Sequence, residues 1–63
     1  NGLTIAFNVK SEEEGNLWHQ TGIENGGTTI EDPPGVRDYG KMKIYLAYLR
    51  DPSGNKLCAI KRM

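Results

Sequence analysis

One helix signal stands alone in this chain. Ser11 is followed three residues later by Glu14, a capping box in which the serine hydroxyl accepts from the N3 amide and the glutamate reaches back to the cap amide. Glu12, Glu13 and Glu14 occupy the first turn, where the helix dipole favours negative charge. The pattern predicts a helix from about 12 to about 25, stopped by Asn25-Gly26-Gly27. Gly15, Trp18, His19, Gly22 and Gly26 recur on one side of it, flanked by Leu17 and Ile23, and Trp18 is the anchor onto whatever lies beneath. Gly15 and Gly22 each weaken an isolated helix by up to about 1 kcal/mol relative to alanine, and are read here as points of close backbone approach. The remaining ordered segments are β-prone, and a single helix shields only one face of a sheet.

Residues 3–9 alternate, with Leu3, Ile5, Phe7 and Val9 on one face and Thr4, Ala6 and Asn8 on the other. Thr28-Thr29-Ile30-Glu31 predicts a short edge strand, broken by Asp32-Pro33-Pro34-Gly35 because proline cannot donate to a ladder. Residues 35–41 read as a loop, 42–50 as the longest strand, 51–55 as a Pro/Gly turn and 56–61 as the closing strand. The expected fold is α+β: a single βαβββ module over residues 1–63, a four-stranded mixed sheet with one helix on one face. Pairing about the 51–55 turn places Tyr48 opposite Cys58 and Leu46 opposite Ile60. The other face then takes Tyr45, Ala47, Leu49, Leu57 and Ala59. Both faces are apolar, so the one without the helix needs a partner or a ligand.

Composition closes off several alternatives. A domain of 63 residues buries only about 60% of its unfolded surface. With 37% hydrophobic residues, a large private core is excluded. One cysteine excludes an internal disulfide, and one histidine excludes a zinc finger within the chain. No apolar run approaches the roughly 18–20 residues of a membrane span, and no signal-peptide pattern leads the chain. A cytoplasmic location is the expectation. The leading Asn1, in place of Met, is read as a mark of a processed or trimmed product.

Charge is segregated along the chain. Residues 1–32 hold one basic and six acidic side chains, and residues 33–63 hold seven basic and two acidic ones. This pattern marks an anion-binding face, unless the two halves neutralise each other on folding, which is the simpler expectation.

The segment Tyr48-Leu49-Arg50-Asp51-Pro52-Ser53-Gly54-Asn55-Lys56-Leu57 resembles the last hairpin of the vicinal oxygen chelate superfamily, which includes glyoxalases, bleomycin and fosfomycin resistance proteins and extradiol dioxygenases. Asn1-Gly2 before Ile5-Ala6-Phe7, the helix ending at Gly26-Gly27, and the loop Gly35-Val36-Arg37-Asp38-Tyr39-Gly40 agree with it in order and spacing. The resemblance covers nearly the whole chain. It implies one of two βαβββ modules that together form a U-shaped cleft, most like the C-terminal half. The second module would be another copy (a homodimer) or a missing N-terminal half.

In metal-dependent relatives each module supplies one ligand from its first strand and one from its last, often His and Glu, around a divalent ion. The resemblance places Thr4 and Cys58 at those positions. Threonine is a poor ligand and cysteine a soft one for hard-metal chemistry, so no cofactor is predicted from this half. A divalent metal is expected only if its ligands come from elsewhere. Thr4 also reads as a sheet-surface residue, and Cys58 as a small buried hydrophobe. His19 lies on the helix and reads as a packing residue. The stronger ligand-binding candidates are Arg37 and Tyr39, in the loop that the resemblance places near the cleft mouth, and Tyr48 in the sheet. Arg37 suits a two-pronged bond to a carboxylate or phosphate, against the alternative of a surface pair with Asp38.

Three functions remain. The first is a glyoxalase/bleomycin-resistance-like protein binding a small organic ligand without metal from this half. The second is a metal-dependent lyase or dioxygenase with ligands outside the segment. The third is a single-stranded nucleic-acid binder stacking bases on Tyr45 and Tyr48, which the zero net charge disfavours.

Overall fold

The computed structural model describes residues 4–63; Leu3 of the expected first strand and the Asn1-Gly2 opening lie outside the described residues. In chain order the elements are β1 (Thr4–Asn8), α1 (Glu12–Glu24), β2 (Thr28–Thr29), β3 (Gly35–Asp38), β4 (Lys43–Arg50) and β5 (Lys56–Arg62). They form one mixed sheet in the order β1-β5-β4-β2, with β3 also paired to β4. β1 runs parallel to β5, and the β4–β5 pair is antiparallel with Tyr48 opposite Cys58 and Leu46 opposite Ile60, the register read from the turn.

The helix begins at the expected cap, but the return bond of the capping box is shifted by one residue, to the Lys10 amide in place of the cap amide. The Ser11 hydroxyl accepts from the Glu14 amide at 3.0 Å, and the Glu14 carboxylate accepts from the Lys10 amide, one residue before the cap, at 3.0 Å. It ends at Asn25, whose side-chain amide donates to the Thr21 carbonyl at 2.8 Å, followed by Gly26 at φ +96°. α1 covers the face bearing Tyr45, Ala47 and Ala59, each wholly buried, and Trp18 and Val9 pack against them. The two helix glycines serve this packing. A Cβ at Gly15 would fall inside the Tyr45 ring's contact radius, and one at Gly22 would collide with a Leu49 methyl. The Tyr45 hydroxyl donates to Asn16 Oδ1 at 2.7 Å, so the core residue is tied to the helix that covers it.

The 35–41 loop expected from sequence is corrected: Gly35–Asp38 is a strand, in register with Lys43–Leu46. A tight turn makes the pairing, with Tyr39 N–H donating to Met42 at 2.8 Å, Gly40 N–H donating to the Asp38 carboxylate at 2.9 Å, and Gly40 at φ +83°. The sheet therefore has five strands where four were expected. β2 and β3 lie on the same edge of β4, and the six-residue step from Thr29 to Gly35 spans only three residues of β4, Leu49 to Leu46. The excess loops out at Ile30 to Pro34. The edge strand expected over 28–31 thus keeps only two residues, and Glu31 takes φ +59°, a left-handed backbone that costs a non-glycine residue about 1–3 kcal/mol. A two-residue strand followed by a proline-containing bulge also blunts this edge against foreign strands.

At the other turn, the Asp51 carboxylate accepts from the Asn55 amide at 2.8 Å and from its side chain at 3.0 Å. These bonds hold the Asp51 carboxyl below its ordinary pKa. They fix the β4–β5 hairpin, and with it the register of the two central strands.

Candidate functional site

Strand alternation sorts the side chains into two faces. The face away from α1 carries Thr4, Ala6 and Asn8 from β1, Arg37 from β3, Ile44, Leu46, Tyr48 and Arg50 from β4, and Lys56, Cys58, Ile60 and Arg62 from β5. Its centre is the directly opposed pair Tyr48–Cys58 with Leu46 and Ile60 beside it. Four of the five candidates from sequence share this face: Thr4, Arg37, Tyr48 and Cys58. Tyr39 does not join them. It is exposed at the β3–β4 turn, five β4 residues from Tyr48, or about 17 Å at the usual strand rise.

Arg37 is half-buried and does not pair with Asp38, whose carboxylate is turned to Gly40. Its guanidinium folds back along β3 and donates to the Gly35 carbonyl at 3.1 Å and the Asp32 carbonyl at 3.3 Å. That orientation carries the charge toward the centre of the face. Across it, the Lys56 ammonium lies 4.9 Å from the Tyr48 ring centroid and pairs with the Glu31 carboxylate. Sequence reasoning missed Lys56 and Glu31. The hairpin register does put Lys56 beside Tyr48, but nothing local signals that the bulge aims Glu31 over the sheet.

Burial pushes the Cys58 thiol above its ordinary pKa, opposed by the Tyr48 hydroxyl and by the Lys56 and Arg37 charges. A thiol whose pKa is raised by burial is not an activated nucleophile. Its hydrogen points at the Ala59 carbonyl, 3.5 Å away. Thr4 offers one exposed hydroxyl. Among the described residues no three His, Cys, Asp or Glu side chains cluster to hold an ion. The donors at the two family positions therefore do not fit a hard divalent metal. His19 is on the opposite side, its Nε2 3.3 Å from the Thr29 hydroxyl, where it joins the helix to the edge strand.

The open face is less bare than the sequence suggests. Leu46 and Cys58 are 8% and 4% exposed, shielded by their neighbours on the sheet. Among the described residues the large exposed apolar side chains lie elsewhere: Ile5 and Phe7 on the helix side of β1, Leu17 on α1, Val36 on β3, Tyr39 and Met42 at the turn, and Met63 at the end of the chain. A shallow depression also runs along α1 past Glu14, Leu17, Trp18, Thr21 and Asn25. One helix supplies all of its walls, and its only titratable group, Glu14, already bonds the Lys10 amide, so it assembles no chemistry.

The charges of the two halves cancel by contact at a single place among the described residues. The one ion pair among the described residues is Lys56–Glu31. Glu12, Glu13, Glu14 and Glu24 lie on α1, which has no Lys or Arg, whereas the strands give the open face Arg37, Arg50, Lys56 and Arg62 and no acid.

Tyr45 and Tyr48 both hold their protons above the ordinary tyrosine pKa of 10.0, chiefly through burial. Each folded-state pKa exceeds the unfolded one, so this stabilisation is complete below pH 10 and is lost as pH rises through the folded values. Urea midpoints measured from about pH 9 to about pH 11 are expected to fall, more steeply in the native chain than in Tyr48→Phe.

These observations define a class first: an α+β module with one sheet face covered by its helix and the other left open, matching half of a glyoxalase/bleomycin-resistance fold. No protein-family model and no curated protein sequence matches the chain. Among solved structures it is similar to the crystal structure of a glyoxalase/bleomycin resistance protein from Albidiferax ferrireducens T118, at 57% identity and a TM-score of 0.87. The match covers 95% of this chain and 48% of that one, so the chain spans about half the length of its neighbour. The chain has the fold of about half of that glyoxalase/bleomycin resistance protein, consistent with one module of the vicinal oxygen chelate superfamily, its edge position shared by the two short strands β2 and β3.

Proposed function

We propose that this module binds a small organic ligand on its open face, in a cleft completed by a second βαβββ module, with no metal ligand contributed from Thr4 or Cys58. The observation that carries the reading is the meeting of Arg37, Tyr48 and Cys58 on the face that the helix leaves free. The match to 48% of the neighbour's length is compatible with a second module, either another copy or an N-terminal segment. A lyase or dioxygenase would need its metal ligands from that second module. Base stacking across Tyr45 and Tyr48 has lost its geometry, because Tyr45 is wholly buried beneath α1 while Tyr48 is on the opposite face.

Amide chemical-shift mapping of the 63-residue chain against a library of small aromatic and aliphatic fragments tests the site. Shifts clustered at Leu46, Tyr48, Cys58 and Ile60 are expected. Shifts confined to the α1 depression at Leu17 and Thr21 would overturn the proposal. Sedimentation of the same chain then identifies the second module, since a two-chain particle makes it another copy and a one-chain particle makes it a different segment.

A further inference from the structure

We infer that the ligand of the open face is an organic anion, a carboxylate or phosphate-type head on an apolar body, with Arg37 taking the head. This deepens the reading of that face as the ligand surface and rests on it. Three features of the face lead to it.

The first is the sign of the face. Its strands contribute Arg37, Arg50, Lys56 and Arg62 and no acidic side chain, and the acids of α1 lie behind the sheet. The sheet between them is a low-dielectric wall, which keeps the two populations of charge from screening each other at short range.

The second is the state of each cation. Lys56 is satisfied by Glu31, Arg50 is turned to the Gly54 carbonyl at 2.7 Å in the hairpin turn, and Arg62 is exposed to solvent at the end of β5. Arg37 is different. It is half-buried, and its two bonds go to neutral backbone carbonyls. Among the described residues no carboxylate lies within ion-pair distance of it. Those carbonyls fix the guanidinium plane while leaving three of its five N–H donors free, so much of the ordering cost of a forked bond is already met.

The third is what happens when the cleft closes. Covering this face removes water from around Arg37, and an unpaired charge in a dry site is costly. The open face of a second copy would bring the same excess of cations and the same single acid, already engaged with Lys56, so it could not neutralise Arg37. With another copy as the second module, the ligand has to carry the negative charge. Leu46, Ile60 and the Tyr48–Cys58 pair provide the apolar floor for its body.

The test uses two probes of one shape and opposite charge, 2-naphthoate and 2-naphthylmethylammonium, titrated into the 63-residue chain and followed by amide shifts. Naphthoate is expected to bind about tenfold more tightly than the ammonium, with shifts centred on Arg37, Leu46 and Tyr48. Arg37→Gln is expected to abolish that preference. Arg37→Lys, which keeps the charge but not the fork, is expected to retain part of it, and Lys41→Gln, at the exposed turn, all of it. Equal binding of the two probes on this face, or tighter binding of the ammonium, overturns the anion inference and leaves the ligand-surface reading standing. Shifts from neither probe on this face overturn both. The wild-type comparison decides the matter even if an Arg37 variant fails to fold.

Discussion

Gly15→Ala lowers the stability of this domain by about 1–3 kcal/mol, although alanine is the better helix former. In an open helix interior the substitution would gain up to about 1 kcal/mol. Here the new methyl meets the Cε2, Cζ and hydroxyl of Tyr45, a ring that is wholly buried and hydrogen-bonded to Asn16. The ring cannot swing aside without breaking that bond and opening the core, so overpacking outweighs propensity. Gly22→Ala is the milder control, because its methyl meets one methyl of Leu49, the end of a rotatable side chain. Urea unfolding followed by Trp18 fluorescence reads the difference, and a raised midpoint for Gly15→Ala would show that Tyr45 repacks freely. A domain of this size holds only about 3–9 kcal/mol in total, so the expected loss is a large part of it.

Tyr45→Ala is expected to unfold the chain outright. Removing a buried aromatic ring costs about 3–5 kcal/mol through lost burial and the cavity left behind. Tyr45 is the largest fully buried side chain and lies between Trp18, the helix backbone at Gly15 and the central strands, so no neighbour is placed to fill the gap. Tyr45→Phe separates the ring from its hydroxyl. It keeps the packing and loses only the donor to Asn16, which is exposed and can bond water instead, so a drop near the lower end of about 0.5–1.5 kcal/mol is expected. A far-UV melt of Tyr45→Ala that still shows a cooperative transition near the native midpoint would sink the idea that this ring holds the core together.

Local signals were enough for the helix and the two central strands. The Ser11–Glu14 box set the start of α1, and Asn25-Gly26 its end. The five-residue turn at 51–55 set the β4–β5 register and so told which side chains share a face. The β3 strand was hidden because Gly35-Val36-Arg37-Asp38 has one β-branched residue and takes its extended form from long-range pairing with β4. The same limit applies at the site. Strand alternation in the sequence suffices to put Tyr48 and Cys58 on one face, but the Glu31–Lys56 pair depends on a bulge whose left-handed backbone no short pattern announces. Tyr39 shares with Arg37 the segment expected to be a loop at the cleft mouth, but pairing of Gly35–Asp38 with β4 puts Tyr39 at the turn, at the far end of the strand from Tyr48.

The parallel ladder between β1 and β5 joins positions 52 residues apart, Thr4 to Lys56. Residues 4–8 therefore have no seat until residues 56–60 exist to receive them. During synthesis the helix and its leading strand must wait, apolar side chains uncovered, for the hairpin to emerge from the ribosome. Docking of β1 should be the late and slow event of folding, because closing so large a loop is entropically expensive. By the same geometry, a peptide bridge linking residues 4 and 62 with a new opening in the exposed 39–42 turn would yield a rearranged chain with the same sheet and a much shorter wait.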